Sequence, residues 1–171
     1  MTRRKVNRRE YEEWNGRAWN AFVDLIATDD PNCLTDIQLR AHLIFWYDAE
    51  VSNGGHLQYF VNRGVEPVIP TLQAMKDVEM HCHLKVLAGA FEFIRLNPIN
   101  KIETAEEYVA EALEDRLGQF DAEFYKCEQE PPIILESYLA MHFEEFIELT
   151  DEDGDKLSID PDPQLPLTNS L

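Results

Sequence analysis

The stretch TDIQLRAHLIFWYDAEVSNGGHLQYFVN, residues 35–62, decides the fold. Its first part spaces apolar side chains three and four residues apart, as in an amphipathic helix that begins after the N-cap residue Thr35. The run ends at Asn53-Gly54-Gly55, because glycine tolerates the left-handed backbone of a helix C-cap. A second, shorter helix is predicted over residues 56–62.

The same periodicity predicts helices on both sides of this stretch. Residues 10–27 are predicted to form one continuous helix, which the polar sequence DDPN ends. On the other side, Pro67 and Pro70 begin a helix in its first turn, where proline is tolerated. The spacing leaves open whether this helix runs unbroken to Arg95 or turns near Asp77.

Three more helices are predicted before the C-terminus. Thr104 is placed to cap the first, the second follows Gly118, and Pro131-Pro132 begin the third, whose apolar residues continue to Phe146. After Thr150 the sequence is acidic and contains prolines, so we expect an irregular tail.

The predicted fold class is all-α, a single-domain multi-helix bundle with an irregular acidic tail, because no run of alternating β-branched residues is present. We expect a basic N-terminal arm at residues 1–9, an all-α domain at residues 10–150 and an acidic, proline-containing tail at residues 151–171. At 171 residues and 44% hydrophobic, the chain is large enough for one such core.

The three cysteines, Cys33, Cys82 and Cys127, are an odd number without CxxC spacing, so the sequence favours neither a disulfide framework nor a cysteine-rich zinc site. A reducing, cytoplasmic location is expected. No stretch approaches the ~18 to 20 apolar residues of a membrane span, and no apolar segment follows the basic start as it would in a signal peptide.

The charge is strongly negative and unevenly distributed. The chain has 33 acidic and 15 basic side chains, a formal net charge of −18. Residues 1–101 carry a net charge of −1 and residues 102–171 a net charge of −17. Such a surface repels phosphate, so we expect no direct binding to nucleic acid or to an anionic membrane, and a partner that is positively charged.

Candidate catalytic and metal-binding residues are few. His81 and His83 point about 200° apart on a helix and cannot close on one ion, so we expect one to be buried, the other exposed, and no metal to be bound. Asp151, Asp153 and Asp155 alternate as calcium ligands do, but the glycine and glutamate of an EF-hand are misplaced. No nucleophile or phosphate-loop signature is present, and the sequence predicts neither an enzyme nor a cofactor.

Carboxylates at four-residue steps are the main functional signal. Glu103, Glu107, Glu111 and Asp115 form one predicted helical row, flanked by Glu106 and Glu114. Glu144, Glu148 and Glu152 form a second predicted row, with Glu145 beside it. Like charges at this spacing cost a helix about 0.2 to 0.5 kcal/mol per pair, so a purely structural surface would intersperse lysine or arginine.

Two or more such rows could imitate a nucleic acid. Carboxylates in one row lie about 6 Å apart, whereas phosphates on one DNA strand lie ~3.4 Å apart along the axis. Rows on neighbouring helices or on two subunits would approach the charge density of a duplex. The alternative is a solvated acidic face that has no partner and only confers solubility.

Residues 53–62, NGGHLQYFVN, resemble the signature of a family of small helical bacterial proteins, the family of the neisserial DNA mimic. The resemblance extends over roughly residues 10–148 and includes Asp121–Tyr125 and Tyr138–Phe146. It implies an all-α homodimer that occupies the DNA-binding surface of a helix-turn-helix transcription factor and blocks its binding to operator DNA. The motif residues themselves are expected to be structural, as turn-forming and capping groups: Asn53, Gly54, Gly55, Gln58, Tyr59, Phe60 and Asn62.

Two other function classes stay open. One is a small-molecule-binding protein or enzyme with a pocket near Gln58, Tyr59 and His81, and the other is a plain immunity or scaffold protein. A pocket with convergent polar groups would favour the former, whereas carboxylate ridges on an open surface would favour mimicry.

Overall fold

The computed structural model describes residues 2–14 and 16–155, so most of the predicted tail lies outside the described residues. The described chain is mostly helical, as predicted, with nine α-helices, one 3-10 turn at Pro31–Cys33 and two short strands. In chain order the elements are β1 (Arg4–Asn7), α1 (Arg8–Glu13), α2 (Gly16–Thr28), α3 (Asp36–Arg63), α4 (Val68–Asp77), α5 (His81–Leu96), α6 (Ala105–Leu113), α7 (Gly118–Phe124), α8 (Pro131–Met141), α9 (Phe143–Phe146) and β2 (Ile147–Thr150).

The helix caps form where the sequence predicts them. Thr35 Oγ1 accepts a hydrogen bond from the Gln38 amide (3.3 Å), and the Gln38 side chain accepts one from the Thr35 amide (3.0 Å). Thr104 and Glu107 form a reciprocal capping box at the start of α6. The helix that follows Pro67 does not run unbroken to Arg95. The chain turns near Asp77, because α4 ends at Asp77 and α5 begins at His81.

The predicted continuous helix over residues 10–27 is wrong, because it is interrupted at Trp14. The backbone of Trp14 is extended (φ −156°, ψ 104°) and its side chain is 54% exposed. Gly16 permits this break, since a Cβ at that position would overlap the Trp14 indole. The Asn7 side chain caps α1 by accepting hydrogen bonds from the backbone amides of Arg9 and Glu10.

A two-stranded parallel sheet replaces the end of the predicted last helix. Strands β1 and β2 pair in register from Arg4 opposite Ile147 to Asn7 opposite Thr150. The pairing joins segments about as far apart in sequence as the chain allows, and each strand has four residues. Neither strand carries a local signal that distinguishes it from a helix end, so the sequence pattern did not predict the sheet.

The chain forms two compact units. Unit one contains the described residues up to His42 together with those from Leu135, and unit two contains Leu43–Ile134. The core of unit one includes the fully buried side chains of Phe22, Leu25 and Phe146. The core of unit two includes those of Tyr47, Tyr59, Met75 and Leu87.

A disulfide joins Cys82 and Cys127 within unit two, which overturns the expectation that the cysteines form none. It connects the start of α5 with the segment that follows α7, and the two Cα atoms are 5.7 Å apart. Forty-five positions separate the two residues in sequence, and only the fold brings them together. Cys33 is exposed and carries a thiol. Among the described residues, no helix is long and apolar enough to cross a membrane.

Candidate functional site

The NGG motif breaks α3 at Gly54 and Gly55, as predicted. Gly54 has φ −157° and ψ 26°, and Gly55 has a positive φ of 74°. A Cβ at Gly55 would overlap the Asp121 carboxylate, and one at Gly54 would overlap the Gln58 side chain. The backbone conformation at Gly55 therefore favours glycine, and a Cβ at either position would require the Gln58 or Asp121 side chain to move.

Glu50 is the centre of a polar network that the motif builds across this break. It is only 6% exposed, yet it accepts hydrogen bonds from three side chains: Gln58 Nε2 (2.8 Å), Asn62 Nδ2 (2.8 Å) and Arg63 Nε (2.9 Å). Asn53 Nδ2 donates to Gln58 Oε1 (3.0 Å). The polar residues of the motif thus bind a buried carboxylate, which agrees with a structural role.

The network holds Glu50 as a charged group. Burial by itself raises the pKa of Glu50, but the hydrogen bonds from Gln58, Asn62 and Arg63 outweigh burial and lower that pKa. The Arg63 guanidinium also stacks on the Trp46 ring, 3.4 Å from its centroid. Sequence analysis identified the motif residues but missed Glu50, which lies three positions before the motif and gave no separate signal.

The aromatic residues of the motif pack into the core. Tyr59 is 1% exposed and its hydroxyl lies 3.3 Å from Thr71 Oγ1, while Phe60 is 6% exposed. Both residues are therefore too deeply buried to meet a ligand at the surface. The motif as a whole marks the fold of unit two.

His56, Asp121 and Tyr47 form a second chain of hydrogen bonds, which is buried at Tyr47 and His56 and partly exposed at Asp121. Asp121 Oδ1 lies 2.7 Å from His56 Nδ1 and accepts a bond from the His56 amide (2.8 Å), while His56 Nε2 lies 3.0 Å from the Tyr47 hydroxyl. This order of groups resembles a catalytic triad. However, Tyr47 and His56 are both 0% exposed, so no substrate can reach the hydroxyl.

The two histidines of the HCH sequence separate as predicted. His81 is exposed, whereas His83 is 1% exposed and donates from Nε2 to the Gln129 carbonyl (2.8 Å). His83 Nδ1 is buried without a hydrogen-bond partner in the described chain, and burial lowers the His83 pKa. No group of three or more potential metal ligands lies together among residues 2–14 and 16–155.

The alternative reading places a pocket near Gln58, Tyr59 and His81, but these three residues do not line the cavity that the described part of unit two contains. The described part of unit two has a cavity of about 80 Å³ instead, lined by Gly54, Leu57, Glu111, Ala112, Asp115, Arg116, Leu117, Gly118 and Asp121. Ligand pockets for small molecules measure about 300 to 1,000 Å³. The geometry therefore gives the ligand-binding alternative little support.

The first acidic row is helical only in part, which corrects the prediction: α6 begins after Glu103 and ends before Asp115, whose φ is 50°. The two middle carboxylates of the row have structural partners. Glu107 Oε2 accepts hydrogen bonds from the amides of Glu103 (2.7 Å) and Thr104 (3.0 Å), and these bonds lower the Glu107 pKa. The side chain of Glu111 is only 11% exposed and accepts a hydrogen bond from Arg116 Nε (2.9 Å). These two side chains stabilise α6 and the turn after it.

The other acidic side chains around α6 face solvent. Glu106 is exposed and has no hydrogen-bond or ion-pair partner within the part of the chain that the structure describes. Glu114 is exposed and lies 3.4 Å from Arg116 Nε, Asp115 is exposed, and Glu103 forms an exposed ion pair with Lys101. Exposed ion pairs of this kind are weak, about 0 to 1 kcal/mol, and rearrange readily.

Sequence analysis missed three more exposed carboxylates that follow in unit two: Glu123, Glu128 and Glu130. They lie on the short helix α7 and in the segment after it, where no regular spacing marked them. From Glu103 to Ile134 the sequence has ten acidic side chains and only two basic ones, Arg116 and Lys126. Unit two therefore presents acidic groups well beyond the predicted row.

The second acidic row is not helical, which corrects the prediction. Glu144 and Glu145 lie in the single turn α9, Glu148 lies in β2, and Glu152 lies in a turn. The helix ends early because residues 147–150 pair with β1 instead. The pairing also brings N-terminal bases to two of these carboxylates, with Lys5 Nζ 3.7 Å from Glu148 and Arg9 Nη1 3.4 Å from Glu152.

The net charge is nearly equal in the two units, although it is distributed unevenly along the sequence. The described part of unit one has 15 acidic and 7 basic side chains, a net charge of −8, and unit two has 16 and 7, a net charge of −9. The reason is that the acidic C-terminal part of the sequence is divided between the units: residues 103–134 in unit two carry a net charge of −8, and residues 135–155 in unit one also carry −8. The excess negative charge thus belongs to the C-terminal part of the sequence, as the count along the chain indicated, but it reaches both units.

The motif, the broken helix and the acidic helix α6 lie together in one stretch of sequence. Residues 32–142 match the family of DMP19-like proteins. The chain belongs to this family. The matched residues contain the Glu50 network and the carboxylates of α6 but not Glu144, Glu145, Glu148 or Glu152. No curated protein and no solved structure matches the chain.

Proposed function

We propose that this DMP19-like protein is an acidic DNA mimic. Its exposed carboxylates bind the DNA-binding surface of a basic protein, in the first instance a helix-turn-helix transcription factor, and block binding to operator DNA. The protein itself neither binds nucleic acid nor acts as an enzyme. Family membership supports this reading, because the family is named for a DNA mimic.

The observation that carries the proposal is the exposed acidic surface of unit two. Glu106 and Asp115 are exposed, and Glu114 and Glu103 have only weak surface partners. Keeping like charges exposed and mostly uncompensated is unfavourable for an isolated helix. A partner with lysine and arginine side chains would offset that cost, as it does for DNA phosphates.

The structure refines which carboxylates we assign to the mimic. We place Glu103, Glu106, Glu114 and Asp115 in the contact surface and give Glu107 and Glu111 supporting roles. Among the carboxylates near the C-terminus, Glu144 and Glu145 remain candidates. We expect Glu148 and Glu152 to contribute less, because Lys5 and Arg9 partly neutralise them.

The test is competition with DNA. The immobilised protein captures a DNA-binding protein at low salt from a lysate of the producing cell, and the captured protein is identified, purified and bound to its labelled operator. Titration of wild-type protein into this complex should release free DNA in a mobility-shift assay. The release should weaken steeply with salt, because several charge pairs form at once.

The decisive variant is E103Q/E106Q/E114Q/D115N, which should fail to release DNA. The matched control, E10Q/E12Q/E13Q/D36N, also removes four exposed carboxylates but lies in unit one, and it should compete as well as wild type. Glu50 is unsuitable as a surface control because it is buried. A complex that holds protein and operator together, or equal competition by both variants, would refute mimicry.

The proposal has two finer parts. The family resemblance implies a homodimer, and sedimentation showing only monomer at tens of micromolar would contradict that.

A cytoplasmic location follows if the partner is bound to chromosomal DNA. Disulfides are rare in a reducing cytosol, so thiol labelling of freshly lysed cells should find Cys82 and Cys127 at least partly reduced there.

A further inference from the structure

The outward face of α6 is not purely acidic. None of the nine residues of α6 is buried, and Tyr108 and Glu111 are the ones that turn partly inward. On the opposite side, Val109 is 55% exposed and Leu113 is 81% exposed. Residues four apart lie on the same face of a helix, so these two side chains form one apolar ridge.

Carboxylates border this ridge. Glu106 lies beside Leu113 in angle around the helix, about 20° from it and about 60° from Val109, since it precedes them by seven and three residues. Glu103 lies beyond the N-terminal end of the ridge and Glu114 directly after its C-terminal end. The ridge therefore has a carboxylate along one side and others beyond its two ends, so a partner that covers it meets apolar and acidic groups together.

Val109 and Leu113 each keep more than half of their surface exposed, so no described segment of unit two covers these two side chains. An exposed leucine alone is ordinary. Here, however, two large aliphatic side chains are adjacent on a helix that already exposes several carboxylates. Charges alone would be enough for solubility or for imitation of phosphates, so the ridge needs its own explanation.

We propose that Val109 and Leu113 are the apolar centre of the partner-binding surface, and that the partner is a basic protein whose lysines or arginines surround an apolar patch. This inference rests on the proposed function and specifies its partner. Charge complementarity favours such a partner over a second copy of this chain. Two copies meeting at α6 would bring together like charges, including both Glu106 side chains, and unit two carries a net charge of −9.

The two kinds of contact differ in their response to salt. Screening weakens ion pairs, whereas burial of aliphatic side chains is little affected by moderate salt. The V109S/L113S variant should therefore bind about ten- to a hundredfold more weakly, by a factor that stays nearly constant between low and moderate salt. The E103Q/E106Q/E114Q/D115N variant should instead flatten the salt dependence.

The experiment measures dissociation constants at several salt concentrations between the full-length protein and the purified DNA-binding protein identified by capture. I69S/L96S is the matched control, because it replaces two exposed aliphatic side chains elsewhere in unit two, 61% and 70% exposed, and it should bind like wild type. Circular dichroism should be unchanged for both serine variants, since all four side chains are exposed.

The outcomes separate the two proposals. Binding of V109S/L113S at wild-type strength would overturn the apolar centre while leaving charge-based mimicry in place. If V109S/L113S instead abolished a dimer in sedimentation, the ridge would be a self-association surface and the basic partner would be the wrong occupant. If wild-type protein captured no DNA-binding protein, or bound one without displacing DNA, the proposed function would fail and this inference with it.

Discussion

Glu50 and Glu106 lie in the same unit and have the same side chain, but their surroundings are opposite. Glu50 is 6% exposed and accepts hydrogen bonds from Gln58, Asn62 and Arg63. Glu106 is exposed and has no such partner in the described chain. The comparison indicates that a buried carboxylate here stabilises the fold of unit two, whereas an exposed one remains available for binding.

Removing the buried carboxylate should have the largest effect. E50A leaves Arg63 and two amide groups without their acceptor, and breaking a buried ion pair costs about 3 to 5 kcal/mol. We expect the urea midpoint to fall accordingly. Under conditions in which the variant is folded, it should bind the partner as wild type does. A loss of less than about 1 kcal/mol would mean that the network is not a main source of stability.

The disulfide should come next, because it anchors the segment between the exposed Glu123 and Glu128 to α5. Closing a loop of this length stabilises a protein by about 2 to 4 kcal/mol. The C82S/C127S variant and the reduced wild type should therefore melt at a similarly lowered temperature, measured by calorimetry. C33S should melt like wild type, and an unchanged melting temperature on reduction would show that packing alone holds the segment.

Buried and exposed groups should also differ in pH dependence. Burial lowers the pKa of folded His83, while the unfolded chain takes up a proton near the ordinary value of 6.5. Its contribution to stability is therefore fully present above pH 6.5 and is lost as pH falls toward the lowered folded pKa. This loss cannot exceed about 1.4 kcal/mol per pH unit for one proton.

The H83Q variant isolates this contribution, because glutamine can still donate to the Gln129 carbonyl but does not titrate. Unfolding measured between pH 7 and pH 5.5 should show a smaller decline for H83Q than for wild type. Equal slopes for the two proteins would assign the pH dependence to other groups.

The smallest effect on stability is expected at the exposed carboxylates. E106Q/E114Q should change the free energy of unfolding by no more than about 0.5 kcal/mol, and removal of like-charge neighbours should make the change favourable. The same variant should weaken partner binding. A loss of stability comparable with that of E50A would break the distinction between the two kinds of carboxylate.

Local signals were enough to predict several helix ends and one helix break. Thr35 and Thr104 cap their helices through side chains three residues away, and Gly55 adopts a positive φ that glycine favours. Each of these features depends on neighbours within one or two helical turns. The family motif and the exposed acidic residues of α6 were recognised in the same way, from short stretches of sequence.

Apart from the local break at Trp14, the predictions that failed concern partners that are distant in sequence. The prediction of a second acidic row assumed that the last helix continues through residues 147–150. These residues instead form β2 and pair with β1, and the same pairing brings Lys5 close to Glu148. Strand pairing and ion pairs of this kind have no periodic signature in the sequence. The paired backbone groups, and the lysine and its carboxylate, are more than 140 positions apart.

The sequence by itself determined the helices, their caps, the break at Gly54-Gly55 and the excess of carboxylates, because these follow from short-range sterics, hydrogen bonding and composition. Only the tertiary structure decided which carboxylates are buried, paired or exposed. Glu50 became a core residue, Glu111 became an ion-pair partner and Glu106 stayed in solvent. The physical reason is that the environment of a charge depends on desolvation and on donors contributed by other segments, and these exist only once the chain has folded.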